Sequence, residues 1–81
     1  MGPDQIKKAI FARPFAKFIL RTVGGVEYRI DNPEFVALSA SGRSIAVFSI
    51  DDNAFDIVDT IMVEALVFSN EGEADSKRRS A

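Results

Sequence analysis

The chain contains no histidine and no cysteine. These two absences together remove the imidazole base, the thiolate nucleophile, any disulfide and the usual ligands of zinc and iron. Stability must therefore come from packing. No apolar run approaches the roughly 20 residues needed to span a bilayer, and Met1-Gly2-Pro3-Asp4 lacks the basic-then-apolar order of a secretory leader. The expectation is a protein with no membrane segment that works in the cytoplasm. An excess of positive charge is also missing. Ten Lys and Arg stand against twelve Asp and Glu, for a net charge of -2, so no global field gathers phosphates and any nucleic-acid contact would need a local patch.

What is present is an ordinary globular composition. Of 81 residues, 47% are hydrophobic and 27% charged, which suits one small domain with a single modest core. Residues 1–69 are expected to form that domain. Residues 70–81, with Gly72, Ser76, Lys77, Arg78, Arg79 and Ser80 and no apolar periodicity, read as a solvated, disordered tail.

Pro3 or Asp4 opens the one stretch with helical spacing, in which Ile6, Ala9 and Ile10 recur at i, i+3 and i+4; a short helix is expected over about residues 4–13. Pro14 ends it, because its ring disfavours the α conformation at Arg13 and removes a donor. Phe11 falls off the Ile6/Ile10 stripe and is left for a neighbour, a partner or solvent.

From Lys17 to Phe68 the chain consists of short runs rich in Ile, Val, Phe and Leu, separated by Gly-Gly, Asn-Pro, Ser-Gly and Asp-Asp-Asn, which is the spacing of a β meander. The first hairpin tests its own register. With Val23-Gly24-Gly25 as a three-residue loop, Thr22 faces Val26, Arg21 faces Glu27, Leu20 faces Tyr28 and Phe18 faces Ile30. One side is then Phe18, Leu20, Val26, Tyr28 and Ile30, and the other Ile19, Arg21, Glu27 and Arg29. A two-residue loop would pair Leu20 with Arg29 and mix charge into both faces, so the longer loop is expected, with Gly25 at positive φ.

Asp31-Asn32-Pro33-Glu34 interrupts the second strand, which resumes at Phe35-Val36-Ala37-Leu38 as a bent continuation. Ser41-Gly42-Arg43 turns into Ser44-Ile45-Ala46-Val47-Phe48-Ser49-Ile50, apolar on both faces, so either the helix or another subunit must cover the second one. Asp51-Asp52-Asn53 makes the next turn, Phe55 to Asp59 the next strand, and Thr60-Ile61-Met62 a single tight turn capped by Asp59 before the last strand, Val63 to Phe68. The expected architecture is mainly β: a small, five-stranded, strongly bent barrel of the SH3-like or Sm-like type with a short N-terminal helix.

The stretches Pro14-Phe15-Ala16-Lys17-Phe18, Gly25, Asn32-Pro33-Glu34-Phe35-Val36-Ala37-Leu38, Gly42-Arg43, Asp51-Asp52 and Ile57-Val58-Asp59 carry a resemblance. From Pro14 onward the chain resembles a group of small uncharacterised bacterial proteins with a pattern of the type P-F-x-x-F, D-G, H-P-E-F-x-A-L, G-R, D-D and I-I-D. It departs from that pattern at Thr22, Gly24 and Asn32. The resemblance implies a fold and no particular activity. The order of elements is also similar to that of the Sm-like RNA-binding proteins, including the bacterial RNA chaperone of that fold, whose rings join the fourth strand of one subunit to the fifth of the next. The RNA site of that family depends on a Tyr-Lys-His type segment. Here the matching stretch is Asp59-Thr60-Ile61-Met62, so only the architecture carries over.

Candidate chemistry is sparse. Asp51, Asp52, Asp56 and Asp59 are rich in oxygen, but the D-x-D-x-D-G run ending in Glu is absent and Asp-Asp-Asn suits a plain hairpin turn, so no metal and no cofactor are expected. Ser and Thr have no His to activate them, and an enzyme is not expected. Arg13, Lys17, Arg21, Arg29 and Arg43 with Tyr28 could hold phosphates and stack bases, but the hairpin register places Arg21 opposite Glu27 and turns Tyr28 inward, as in a charge-balanced outer face. Lys77-Arg78-Arg79 reads as part of the solubilising tail. Most of Phe11, Phe15, Phe18, Phe35, Phe48, Phe55 and Phe68 belong to the core, and any apolar residue left outside is a functional hint, with Ile19, Val58 and the alternate face of the Ile45 to Ile50 strand the first to watch. The reading is a non-enzymatic protein-interaction or self-assembly module, a homo-oligomer or a binder of a protein partner. Its surface is drawn from Phe11, Arg13, Ile19, Arg21, Arg29, Arg43 and Val58. The alternative is an Sm-like binder of single-stranded RNA, which the acidic balance disfavours.

Overall fold

A computed structural model describes residues 1–49 and 54–68. Ile50, the Asp51-Asp52-Asn53 turn and the polar tail at 70–81 lie outside the described residues.

Helix α1 spans Pro3–Phe11, with Pro at its first turn and Ile6, Ala9 and Ile10 buried, as the i, i+3, i+4 spacing requires. It stops two residues short of the expected end because Ala12 is already extended. Arg13 then turns back on the helix end, its Nη1 donating to the carbonyls of Ile10 at 3.1 Å and Ala12 at 2.7 Å. These bonds satisfy two acceptors near a terminus that lacks intrahelical partners.

Strands β1 (Phe18–Thr22) and β2 (Glu27–Ile30) pair antiparallel in the register of the three-residue loop: Phe18 opposite Ile30, Leu20 opposite Tyr28, Arg21 opposite Glu27. The loop closes with Gly25 N–H donating to Thr22 O and Thr22 N–H to Val26 O, both at 2.9 Å, and Gly25 has φ 91. One detail of the inner face differs. Val26 is exposed, and Thr22 is buried in its stead, with its Oγ1 accepting from Val26 N–H.

The corner at Pro33–Phe35 is a turn of 3-10 helix. It divides the long second strand into β2 and β3 (Val36–Leu38), which sit in different sheets, so the five strands of the sequence reading become six. The others are β4 (Ser44–Phe48), β5 (Phe55–Asp59) and β6 (Val63–Phe68). Sheet order is β2-β1-β6 in one three-stranded sheet and β3-β4-β5 in the other, with every pairing antiparallel. Between β5 and β6, Thr60–Met62 forms the tight turn, and Asp59 caps it by accepting from Ile61 N–H at 3.1 Å.

The two inner faces and the helix share one core, in which Ile6, Phe18, Leu20, Ile30, Ile45 and Val63 are fully enclosed. Burying each such side chain contributes about 1.5–3 kcal/mol, so these six are the main source of cohesion in a chain of this size. Phe15 and Phe68 extend the cluster from either side of Phe18, with ring centroids 5.9 and 5.5 Å away. Among the described residues no buried side-chain polar atom lacks a hydrogen-bond partner, and no helix is long and apolar enough to cross a membrane.

Gly42 ties the pieces together. It sits in the β3–β4 turn at φ 80 and packs so closely under α1 that a Cβ there would stand 2.8 Å from the Cβ of Pro3. Its carbonyl accepts the buried Thr60 hydroxyl at 2.6 Å, and the neighbouring Arg43 carbonyl accepts Thr60 N–H at 2.9 Å. The helix, the turn and the last connection therefore meet at one residue. Gly25 shares the positive φ, but nothing lies within 4 Å of its Cβ position. Gly25→Ala should cost about 1 kcal/mol from backbone strain alone, and Gly42→Ala roughly 2 kcal/mol or more because the helix must also shift. Urea unfolding of the two variants checks this; equal losses would mean that the helix contact contributes nothing.

Candidate functional site

The outer faces of the two sheets have opposite characters. On β1 and β2 the outward positions are Ile19, Arg21, Glu27 and Arg29, as the hairpin register implies. Arg21 Nε donates to Glu27 Oε2 at 3.0 Å across the strands, and Arg29 approaches Asp31 at 3.8 Å. Both ion pairs are largely solvent-exposed and contribute well under 1 kcal/mol each. Their effect is on charge: each arginine has an acidic neighbour, which leaves little free positive potential on this side. Ile19 lies half-buried between Arg29 and Val67.

The outer face of β3-β4-β5 has little charge. Cross-strand partners put Ala37 beside Ala46, Ala46 beside Ile57, and Phe48 beside Phe55 on one side of the sheet. Phe48 and Phe55 rings are 5.6 Å apart and tilted, and Phe55 and Ile57 remain 59% and 63% exposed. β4 alternates for a simple reason: Ile45 and Val47 face the core, while Ala46 and Phe48 face outward. The helix does not cover this second face, because its buried residues belong to the inner core. Among the described residues β5 has a hydrogen-bonded partner on one side only, so there the apolar face runs up to an open sheet edge.

The residues expected from the sequence to form a surface are dispersed. Phe11, 60% exposed, and Arg13 sit at the end of α1, Ile19, Arg21 and Arg29 on the outer face of the first sheet, and Arg43 at the β3–β4 turn. Val58 corrects the expectation of an exposed position. It is 8% exposed, part of the core, because it lies opposite Ile45 on the inner face of β5. The outward residues of β5 are instead its alternate neighbours, Phe55 and Ile57. The signal for them was the apolar alternate face of β4, whose partners across the strand they are. A second exposed apolar group, Val23, Val26, Ile61 and Met62, lies where the β1–β2 loop meets the Thr60–Met62 turn, joined by Val23 N–H donating to Met62 O at 2.9 Å.

One polar contact joins the two sheets from their inner sides. The Tyr28 hydroxyl on β2 donates to Asp56 Oδ2 on β5 at 2.9 Å. Burial pushes the Tyr28 phenol above its ordinary value of 10.0, and the hydrogen bond and negative charge of Asp56 add to the rise. Among the described residues, no group of three His, Cys, Asp or Glu side chains is placed to hold a metal ion.

Tyr28 is the single tyrosine, and tryptophan is absent, so ultraviolet titration of the phenol reports this residue alone. Its midpoint should lie above the ordinary phenol value of 10.0 and fall toward that value in Asp56→Asn. Because the folded state holds this proton more tightly than the unfolded chain, the associated stability is present below the ordinary phenol pKa and is lost as pH climbs through the raised one. An ordinary midpoint in the wild-type protein would contradict the contact.

No protein-family model, no curated protein and no solved structure matches the chain, so the case for its function rests on the geometry of these two faces and the contact between them.

Proposed function

We propose that the protein is a non-enzymatic interaction module that associates, with itself first and with protein partners second, through the outer face and open edge of the β3-β4-β5 sheet. The observation that carries this reading is the pair Phe55 and Ile57, large, apolar and exposed next to a strand edge that no described residue pairs with. An edge of this kind is a template for strand addition, and an apolar face beside it supplies the burial that makes addition favourable. Asp59, the last residue of β5, restricts which edges it accepts, since a charge at a pairing edge penalises unselective contact.

The same reading takes the two sheets as halves of a small, strongly bent SH3-like or Sm-like barrel, in which β2 and β3 are one strand broken at Pro33–Phe35. The succession of helix, meander and tight turn before the last strand supports it. For RNA binding the support is weaker, because Arg21 and Arg29 already lie beside Glu27 and Asp31.

Light scattering coupled to size exclusion tests the proposal over a range of concentrations. The wild-type mass should rise above the 8.9 kDa of one chain as concentration increases. Ile57→Lys, on an exposed position, should return it to one chain with stability changed by no more than about 0.5 kcal/mol. A wild-type protein that stays monomeric throughout, or an Ile57→Lys variant that assembles equally well, would contradict the proposal.

A further inference from the structure

Where β2 approaches the end of the β4–β5 pair, a cleft of about 210 Å³ opens to solvent, lined among the described residues by Tyr28, Val47, Phe48, Ser49, Ala54, Phe55 and Asp56. Tyr28 comes from one sheet and the rest from the other side of the gap. None of these residues belongs to α1, so the helix that closes the core elsewhere leaves this end open.

The lining is unusual in its chemistry. Among the described residues three of its seven lining residues are aromatic, and the one charged group is a carboxylate. One Asp56 oxygen, Oδ2, accepts from the Tyr28 hydroxyl, and among the described residues no lysine or arginine pairs with Asp56. The phenol does not neutralise the carboxylate: burial, the hydrogen bond and the charge of Asp56 all hold the proton on Tyr28. A purely apolar ligand would leave that charge unanswered, and an anion would be repelled by it. A cation answers both parts of the cleft, since aromatic rings and a carboxylate each attract positive charge.

We propose that this cleft receives the side chain of an arginine presented by a protein partner, with the guanidinium against the aromatic lining and one of its N–H groups on Asp56. A planar guanidinium suits the site better than an ammonium because it stacks on rings while donating from its edge, and it is the more weakly hydrated of the two. The partner is a protein because Phe48 and Phe55 line the cleft and also belong to the exposed outer face, so a chain docked along that face passes the opening. For the nature of the partner the inference rests on the interaction reading above; for the cation it rests on the cleft alone.

The test uses the full chain, isotope-labelled and at low ionic strength, titrated with Nα-acetyl-arginine amide and separately with Nα-acetyl-citrulline amide, which keeps the shape and removes the charge. Saturable shifts are expected at Tyr28, Phe48 and Asp56, with citrulline at least about fivefold weaker. Asp56→Asn should weaken arginine binding by at least roughly fivefold, Asp56→Glu should restore part of it, and Tyr28→Phe, which keeps the ring, should change it by less than about twofold. No saturable shift with arginine, an equal response to citrulline, or binding unaffected in a folded Asp56→Asn variant would each overturn the proposal. If Asp56→Asn does not fold, the contrast between arginine and citrulline on the wild-type protein decides it. Arginine binding in a chain that stays monomeric would uphold the cleft and remove the self-association reading; assembly without arginine binding would do the reverse.

Discussion

The approach of α1 to Gly42 is the constraint on which the rest of the structure depends. A helix of nine residues is too short to persist alone in water, so α1 exists because Ile6, Ala9 and Ile10 are buried in the core. That burial requires the first turn of the helix to lie against the β3–β4 turn, and only a residue without a Cβ lets Pro3 come so close. The same residue's carbonyl takes the Thr60 hydroxyl, which fixes the entry to β6. β6 pairs with β1 in one sheet while Gly42 leads into β4 of the other. One glycine thus sets how the helix caps the core and how the second sheet connects back to the first.

With one end and the interior fixed in this way, the outer faces are free to differ. The first sheet sets two ion pairs, Arg21 with Glu27 and Arg29 with Asp31, around a half-buried Ile19, and these pairs add little stability while keeping that part of the face solvated. The second carries alanines flanked by Phe48, Phe55 and Ile57 and stops at an edge unpaired among the described residues. Such a face in a small domain is unfavourable unless something covers it, and in β4 it cannot be attributed to the demands of the core, because Ile45 and Val47 already meet them. The Tyr28–Asp56 contact marks the boundary between the two regimes, with an inward phenol from the solvated sheet reaching a carboxylate at the edge of the apolar one.

Much of the local structure was legible in the sequence. The register of the first hairpin follows from one comparison: only the three-residue loop keeps Arg29 off the Leu20 face, and Gly25 supplies the positive φ that the loop needs. The Asp59 cap and the single turn at Thr60–Met62 are equally local. The strand count was less legible. Pro33 signals a corner, but whether the chain on either side remains in one sheet is decided by long-range pairing, β2 with β1 and β3 with β4. The site was legible in part. The alternate face of β4 was visible as an apolar set with no assigned cover, yet the orientation of β5 was not, because Phe55, Ile57 and Val58 are all apolar and only the pairing of Val58 with Ile45 shows which side faces in. The arginines could be placed on the outer face from the hairpin, but Arg43 and Arg13 fall on separate turns whose relation to it is tertiary.

The central claim is that the open edge of β5 and the face beside it are where this protein meets another chain. Amide hydrogen exchange of the wild-type protein, compared between dilute and concentrated solution, reads that edge directly, because an amide exposed on an unpaired strand exchanges fast and slows when another strand or chain covers it. The account predicts that β5 becomes protected with concentration while the outer face of β1 and β2 does not. Exchange along β5 that is independent of concentration, or protection that appears on the charged face instead, would contradict it.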